Sequence, residues 1–261
     1  MNTTTAVRDG SSLTRVRAVT RAIKILRSFT PSRQYLTLGD IAKLTDLDAG
    51  TTRRLLITLR DEGLVRQDRS TGLYSTSIGL LELASAVPKS LSLSSLIEER
   101  INALAHETQT TVYVSTVSED MALCLARCNG GRAIEVQWWS VGERRPFNMG
   151  TGPRVLLAFQ STERQEQIIN QILALDKSQA IALKKELEQI RSQGVIVKHD
   201  EIASGLSAMA VPLLDNDGNI IASISTGGLT PKYSGAERVQ MYQSMVRATE
   251  DMRESLRGYS T

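Results

Sequence analysis

An α+β fold built as two units is predicted by three observations. Three helical periodicities and then two short strand-like runs occupy the first 77 residues. A short apolar helix closed by Pro88 follows. Beyond it, strand-like runs are interrupted by amphipathic helices, with hairpin pairs at both ends. That is the pattern of a sheet sensor fold rather than of a doubly wound nucleotide fold. The length of 261 residues suits about two domains. With 41% hydrophobic and 23% charged residues, the core needs no disulfide or metal staple.

Residues 1–14 are aperiodic and rich in Thr and Ser, the composition of a disordered tail. Val16, Val19, Ala22, Ile23, Leu26 and Phe29 then recur at three and four, one face of a helix that Pro31 ends. Thr37-Leu38-Gly39-Asp40 has the form of a capping box opening a short second helix, with Ile41, Ala42 and Leu44 inward. Asp48 caps a third helix running to about Glu62; its apolar face is Leu55, Leu56 and Leu59, and Gly63 stops it. Runs at 64–67 and 73–75 flank a polar turn, Asp68 to Gly72, and form a hairpin. Three helices and a hairpin over residues 15–77 make a winged helix-turn-helix. Residues 78–90, apolar on one side from Ile78 to Val87, form a linker helix.

The second unit spans residues 91–261 and opens with an amphipathic helix over 91–109. Strands are expected at 111–118, 121–128 and 134–139, then helices at about 153–159, 162–174 and 179–193. Further strands fall at 195–198, 207–214 and 220–226, with Asp215-Asn216-Asp217-Gly218 as a hairpin turn between the last two. A helix over 234–256 closes the chain.

Charge divides along the same line. Residues 1–90 carry 14 Lys and Arg against 8 Asp and Glu, a net +6, whereas the whole chain is +3 and the remainder therefore −3. A basic first third fits a module that meets a polyanion, joined to one that does not. No apolar run approaches the ~20 residues that span a bilayer, and residues 1–12 lack the apolar stretch of a secretory signal. Cys124 and Cys128 are the only thiols. Together these predict a cytoplasmic protein without a disulfide framework or a membrane partner.

Catalytic patterns are nearly lacking. His106 and His199 are the only histidines, and neither stands in a metal-binding spacing. By the period of two, Cys124 and Cys128 share one face of a strand as core thiols rather than zinc ligands. Ser204-Gly205 and Thr226-Gly227-Gly228 lack a P-loop lysine or a nucleophile elbow. The sequence predicts neither an enzyme nor a cofactor.

In a helix-turn-helix the second helix of the pair enters the major groove with its N-terminal half on base edges. Here that stretch is Ala49, Gly50, Thr51, Thr52, Arg53 and Arg54. Ala49 and Gly50 permit close backbone approach. Thr51 and Thr52 suit phosphate or a thymine methyl, and the arginines suit guanine or phosphate. The arginines lie about 100° apart on the helix, so both cannot aim at one base. Pairing with Asp40, Asp61 or Glu62 would instead make them ordinary solvated charges. The spacing favours DNA: Thr37 opens the preceding helix, Arg66 and Arg69 stand on the wing, and Arg15, Arg17, Arg21 and Lys24 suit phosphate-flanking positions on the first helix. One winged helix reads only a few base pairs. Pairing through the first helix, around Val16 to Ile25, would set two recognition helices on a palindromic operator.

In the second unit Asn148-Met149-Gly150-Thr151-Gly152-Pro153 leads into an apolar helix. With Pro153 first in the helix and Gly152 as cap, free N–H groups near Arg154 and Val155 form an anion site. A glycine turn needed only for chain reversal is the other reading. Trp138 and Trp139 are adjacent, so on a strand one points inward and one outward. Asp200 and Glu201 are placed either to orient ligand hydroxyls or to form a solvated turn.

Residues of about 16–87 resemble the winged helix-turn-helix of the IclR family of bacterial transcription regulators. The likeness runs through Arg21-Ala22-Ile23-Lys24-Ile25-Leu26, Leu38 with Ile41-Ala42, Thr51-Thr52-Arg53-Arg54-Leu55-Leu56 with Leu59, Gly63-Leu64-Val65, and Thr71-Gly72-Leu73-Tyr74. It continues through Val141-Gly142 with Pro146, Gly194-Val195, Gly205, Val211-Pro212 and Asp217-Gly218. Asp46 and Asp48 depart from it, standing where Gly and Pro are common in the family. The resemblance implies a GAF-like α/β effector-binding module and a small organic acid as effector. It also implies a homodimer or a homotetramer built as a dimer of dimers. It places the lining at Met149, Gly150, Thr151 and Gly152, at Ser207, Ala208 and Met209 after Gly205, and at Ser223 and Ser225. Trp138 joins these as a candidate from the tryptophan pair. Ala208 stands where many relatives have cysteine, and the glycine-rich loop differs from their usual His/Thr/Ala pattern, which implies a different ligand.

Overall fold

The computed structural model describes residues 16–86, 94–131, 138–173 and 177–257. The chain divides into two compact units, Met1–Val87 and Pro88–Thr261. The expected tail, Arg15, the end of the linker helix and residues 134–137 of an expected strand lie outside the described residues.

In the first unit α1 (Arg17–Ser28), α2 (Leu38–Thr45) and α3 (Ala49–Asp61) enclose Ile25, Leu36, Ile41, Leu56, Leu59 and Val65. The capping box forms: Thr37 Oγ1 accepts from Asp40 N–H at 3.1 Å, and Asp40 Oδ2 accepts from Thr37 N–H at 3.1 Å. The turn after α2 passes through Asp46 at φ +54°. Aspartate tolerates that left-handed conformation better than most side chains. Strands β1 (Val65–Gln67) and β2 (Tyr74–Thr76) pair antiparallel as the wing. The turn between them is tied by Asp68 Oδ1, which accepts from Ser70 and Thr71 N–H at 2.8 and 2.9 Å. The apolar helix α4 (Gly79–Ser85) starts against the turn after α3; a Cβ on Gly79 would stand 2.5 Å from the Gly63 carbonyl oxygen.

In the second unit the strands are β3 (Thr111–Ser118), β4 (Met121–Cys128), β5 (Arg144–Arg145), β6 (Ile196–His199), β7 (Leu206–Leu214) and β8 (Ile220–Leu229). They form one antiparallel sheet in the order β5-β4-β3-β8-β7-β6. Helices α5 (Ser94–Thr108) and α9 (Gly235–Arg257) cover one face, burying Ile101, Leu104, Met241 and Met245 against Val112, Val211 and Ile224. The other face packs on α6 (Thr151–Ala158), α7 (Thr162–Leu173) and α8 (Lys177–Gln193) through Leu156, Ile168, Leu187, Tyr113 and Ala210. The expected α+β class is the one observed.

Two local expectations are corrected. β4 carries a bulge: Val114 opposes Ala126 while Ser115 opposes Cys124, leaving Leu125 as the extra residue. An extra residue inverts the alternation beyond it. Cys124 therefore packs toward α6, and Cys128 toward α5 and α9. Burial pushes the Cys124 thiol up to about 12. Trp138 and Trp139 belong to no strand and lead into a turn ending at β5, a two-residue strand whose Arg-Arg sequence carries no apolar alternation. Among the described residues no group of His, Cys, Asp and Glu is placed to hold a metal ion, and no helix is long and apolar enough to cross a membrane.

Candidate nucleic-acid interface and ligand cleft

Helix α3 starts with its own polar groups served from within. Asp48 Oδ1 accepts from Thr51 N–H at 2.8 Å, and hydrogen bonds from the Thr51 side chain and then its backbone hold the carboxyl below its ordinary range. Ala49, Gly50, Arg53 and Arg54 are exposed beyond it and Thr51 is half-buried. Among the described residues neither arginine joins an ion pair: Asp61 is taken by Arg60 at 3.2 Å, and Asp40 by the capping box. Thr52 is a correction to the DNA-facing set. It is fully buried, its hydroxyl donating to the Asp48 carbonyl at 2.9 Å, because the position one turn after the cap faces the core. The Thr37 hydroxyl is likewise committed, donating to Asp40 Oδ2 at 2.6 Å. Arg17 and Arg69 are exposed and Arg21 is half-buried. Arg66 is exposed but donates from Nε to Ser75 Oγ at 2.9 Å across the wing.

Helix α6 starts differently. Its N-cap is Gly150 at φ +90°, with no side-chain cap, and the helix begins at Thr151. That is two residues earlier than Pro153 suggests. A proline also fits the first turn there, where N–H groups have no partner inside the helix. Arg154 N–H already returns to the Gly150 carbonyl at 3.5 Å, so among the described residues the open N–H groups belong to Thr151 and Gly152, not to Arg154 and Val155. Gly150 is required twice over: by its φ, and because a Cβ there would lie 2.6 Å from Cη2 of Trp138. Arg145 holds that indole, stacking 4.8 Å from its centroid and donating to the Trp138 carbonyl.

Between the α6 start and the sheet edge lies a cleft of about 360 Å³ counted to its open mouth. Its floor is a row across three strands, Lys198 on β6 beside Ala208 on β7 beside Gly227 on β8. Two small residues in that row leave the room. Trp138, Gly150, Thr151, Glu201, Ile202 and Leu206 rise around it, and Ser207 lies at its edge. The Ser207 hydroxyl sits 2.8 Å from His199 Nδ1 and 2.9 Å from Thr230 Oγ1. Thr151 is 1% exposed, and among the described residues nothing meets its Oγ1. An ion network borders the cleft. Glu186 pairs with Lys198 and, at 2.9 Å, with Arg154, whose Nη1 reaches Glu201 at 2.7 Å.

Of the expected lining, Trp138, Gly150, Thr151, Ser207 and Ala208 meet here. Five residues do not. Met209 is one step from Ala208 along β7 and faces the opposite core. Ser223 and Ser225 lie beneath α6, where a Cβ on Gly152 would come within 3.2 Å of Ser115, Ser223 and Ser225 Oγ. The Ser223 hydroxyl is paired with Ser115 at 2.7 Å. Gly152 thus serves close packing on that serine patch, and Met149 is 50% exposed outside the cleft. Sequence reasoning missed Lys198, Ile202, Leu206 and Gly227. The antiparallel pairing of β6 with β7 sets Lys198 opposite Ala208, and only the register reveals it.

A winged helix with bare arginines beside its capped third helix, and an open cleft on the second unit, fit a DNA-binding transcription regulator with a sensing module. Comparison with known proteins supports the class and supplies the family. Residues 18–69 match the IclR helix-turn-helix domain, and residues 70–252 match the bacterial transcriptional regulator IclR C-terminal family. The chain belongs to the IclR family of transcriptional regulators, which are not enzymes. It is 24% identical to the HTH-type transcriptional regulator KdgR of Escherichia coli over 249 residues, covering 94% of each chain. It is 23% identical to the transcriptional repressor IclR of the same organism over 248 residues, covering 92% of this chain and 90% of that one. Its fold is similar to an IclR transcriptional regulator from Alicyclobacillus acidocaldarius (TM-score 0.80, 18% identity, 95% and 100% covered). It is also similar to an IclR homologue from Microbacterium hydrocarbonoxydans complexed with 4-hydroxybenzoate (TM-score 0.78, 18% identity, 92% and 99% covered).

Proposed function

We propose that a small organic acid binds in the cleft of the second unit and changes the affinity of the first unit for a palindromic operator. The observation that carries the ligand half is the Thr151 hydroxyl, buried and unmet beside an uncapped helix start. A buried hydroxyl without a partner costs free energy that a ligand oxygen recovers. The helix N-terminus favours negative charge, and Lys198, paired with Glu186, lies at the floor. Trp138 suits the carbon body of the ligand, and the 4-hydroxybenzoate complex of the Microbacterium relative is consistent with an acid of that size.

Thr151→Val is the test, because it removes the hydroxyl and keeps the shape. Free Thr151→Val protein should melt at or above the wild-type temperature. Its affinity for acids found by a thermal-shift screen of small carboxylates should fall about tenfold. Wild-type affinity in the variant refutes the assignment.

The DNA half rests on α3, with Arg53 and Arg54 as the reading side chains and Arg17, Arg21, Arg66 and Arg69 as phosphate contacts. A homodimer or homotetramer is supported by the exposed apolar stripe of Val16 at the N-cap of α1 with Val19 and Ile23 on it, 65%, 59% and 43% exposed. Light scattering with and without operator should give at least a dimer; a monomer on a non-repeated site contradicts it. A ligand alters DNA affinity only by preferring one of two arrangements of the paired domains, and α4 is the element proposed to transmit that preference.

A further inference from the structure

We infer that the cleft selects acids that also carry a hydrogen-bond donor, a hydroxy acid above all, and that Glu201 is the residue that imposes the choice. This rests on the acid-effector reading above and narrows it. Glu201 stands on the segment between β6 and β7 and lines the cleft with its side chain 30% exposed. Its Oε2 accepts from Arg154 Nη1 at 2.7 Å, and among the described residues Arg154 is the only group bonded to it.

Charge balance decides what such a site accepts. Arg154 and Lys198 bring two positive charges, and Glu186 and Glu201 bring two negative ones. The network is neutral as built, so a bare carboxylate gains no net attraction from it. Against Glu201 it meets like charge. Among the described residues, the Thr151 side of the cleft presents a hydroxyl without a partner beside an uncapped helix start. An ionised carboxylate, by contrast, is an acceptor and nothing else. A ligand that fills this cleft must therefore bring acceptors for Thr151 and the helix start, and a donor for Glu201. A hydroxy acid has both. A hydrogen bond to a charged group is among the stronger neutral-to-ion contacts, and a ligand that covers the Glu201 carboxylate without donating to it leaves Arg154 as its sole partner among the described residues.

Glu201→Ala is a usable probe because Arg154 stays paired afterward. Its Nη2 keeps the hydrogen bond to the Asn148 carbonyl at 2.8 Å, and Glu186 Oε2 stays 2.9 Å from its Nε as an ion pair without hydrogen-bond geometry. Calorimetric titration of the full chain would use matched pairs: benzoate with 4-hydroxybenzoate, and hexanoate with 6-hydroxyhexanoate. Wild type should prefer the hydroxy member of a pair by about tenfold or more. In Glu201→Ala the plain acid should bind more tightly and the hydroxy acid more weakly, bringing the two within about threefold. Glu201→Gln, which keeps the shape and an acceptor oxygen, should fall between them. A merely structural Glu201 would shift both members of a pair in the same direction. Plain acids binding wild type as tightly as hydroxy acids, or a preference that survives in Glu201→Ala, overturns the inference and leaves the acid-effector reading intact. No binding by any member of either pair overturns both.

Discussion

Helices α3 and α6 begin in opposite ways, and the contrast separates two kinds of functional surface. At α3 the Asp48 carboxylate takes the Thr51 N–H and the Thr52 hydroxyl bonds the Asp48 carbonyl. The helix start is complete without a partner, and what it shows to solvent is Arg53 and Arg54. At α6 the cap is a glycine, the first side chain is a buried threonine with an unmet hydroxyl, and the next residue is a glycine pressed onto three serines. That start leaves the Thr151 hydroxyl without a partner among the described residues. Where local bonding is satisfied, the surface acts through the side chains it projects. A buried polar group left over in a packed unit calls for a partner or an explanation, and the proposed ligand is one.

The largest effect should come from removing what α3 projects. Arg53→Ala and Arg54→Ala should each weaken operator binding by about 1–3 kcal/mol, roughly 5- to 150-fold, if the arginine reads a base. A phosphate contact should instead weaken all sequences alike and lower the salt slope by about one. Gel shifts of both variants at several salt concentrations distinguish these. Thermal melting of either should stay near wild type, since neither side chain is in an ion pair among the described residues. Unchanged operator affinity in both variants breaks the comparison on the α3 side.

Next in size is the backbone that keeps α6 open. Gly150→Val forces a β-branched residue to φ +90° and drives its Cβ to 2.6 Å from the Trp138 ring. Such strain and overpacking cost about 1–3 kcal/mol or more. Melting temperature and acid binding should fall together, while the unliganded affinity for DNA stays unchanged. Gly50→Ala in α3 sharpens the contrast, because its new Cβ meets only Asp48 Oδ1 at 3.2 Å and no positive φ stands in the way. Alanine is the better helix former there, so the change should be close to neutral for stability. Equal loss from both glycine substitutions would erase the difference between the two helix starts.

The elements were legible because periodicity and caps are local. Thr37 with Asp40 and Asp48 with Thr51 form the bonds that their spacing implies. The cleft was half legible. Its loop glycines and Trp138 stand out along the chain, but Lys198, Ala208 and Gly227 become neighbours only through strand register. Two errors have one cause, a period applied without its phase. Met209 cannot share a face with Ala208 on β7, and the bulge at Leu125 reverses the alternation that would have put Cys124 with Cys128. Pro153 misplaced the α6 start because proline fits any position of a first turn, and the choice among them was made by Gly150 packing on Trp138. β5 had no signal of its own: Arg144 and Arg145 pair with Leu123 and Ala122 of β4, and nothing in two arginines announces a strand.

The smallest effect tests whether the α3 cap is a matter of structure alone. Asp48→Ala removes the oxygen that meets Thr51 N–H, and loss of one N-cap in a domain of this size lowers the melting temperature by about 4–8 °C. Asp48→Asn keeps an acceptor oxygen and should lose less. The pH dependence gives the sign. Hydrogen bonding from Thr51 lowers the Asp48 pKa in the folded protein, so the unfolded chain binds the proton more readily. The contribution is then fully present above the ordinary carboxylate pKa of about 4 and fades as pH falls through the lower folded value. Calorimetric melts at neutral pH should therefore separate wild type from Asp48→Ala, and melts well below pH 4 should bring them together. Acid binding by the second unit should be the same in wild type and both variants, since the cap serves only its own helix. A pH-independent gap would mean that the carboxylate charge contributes nothing and that the acceptor oxygen alone completes the α3 start.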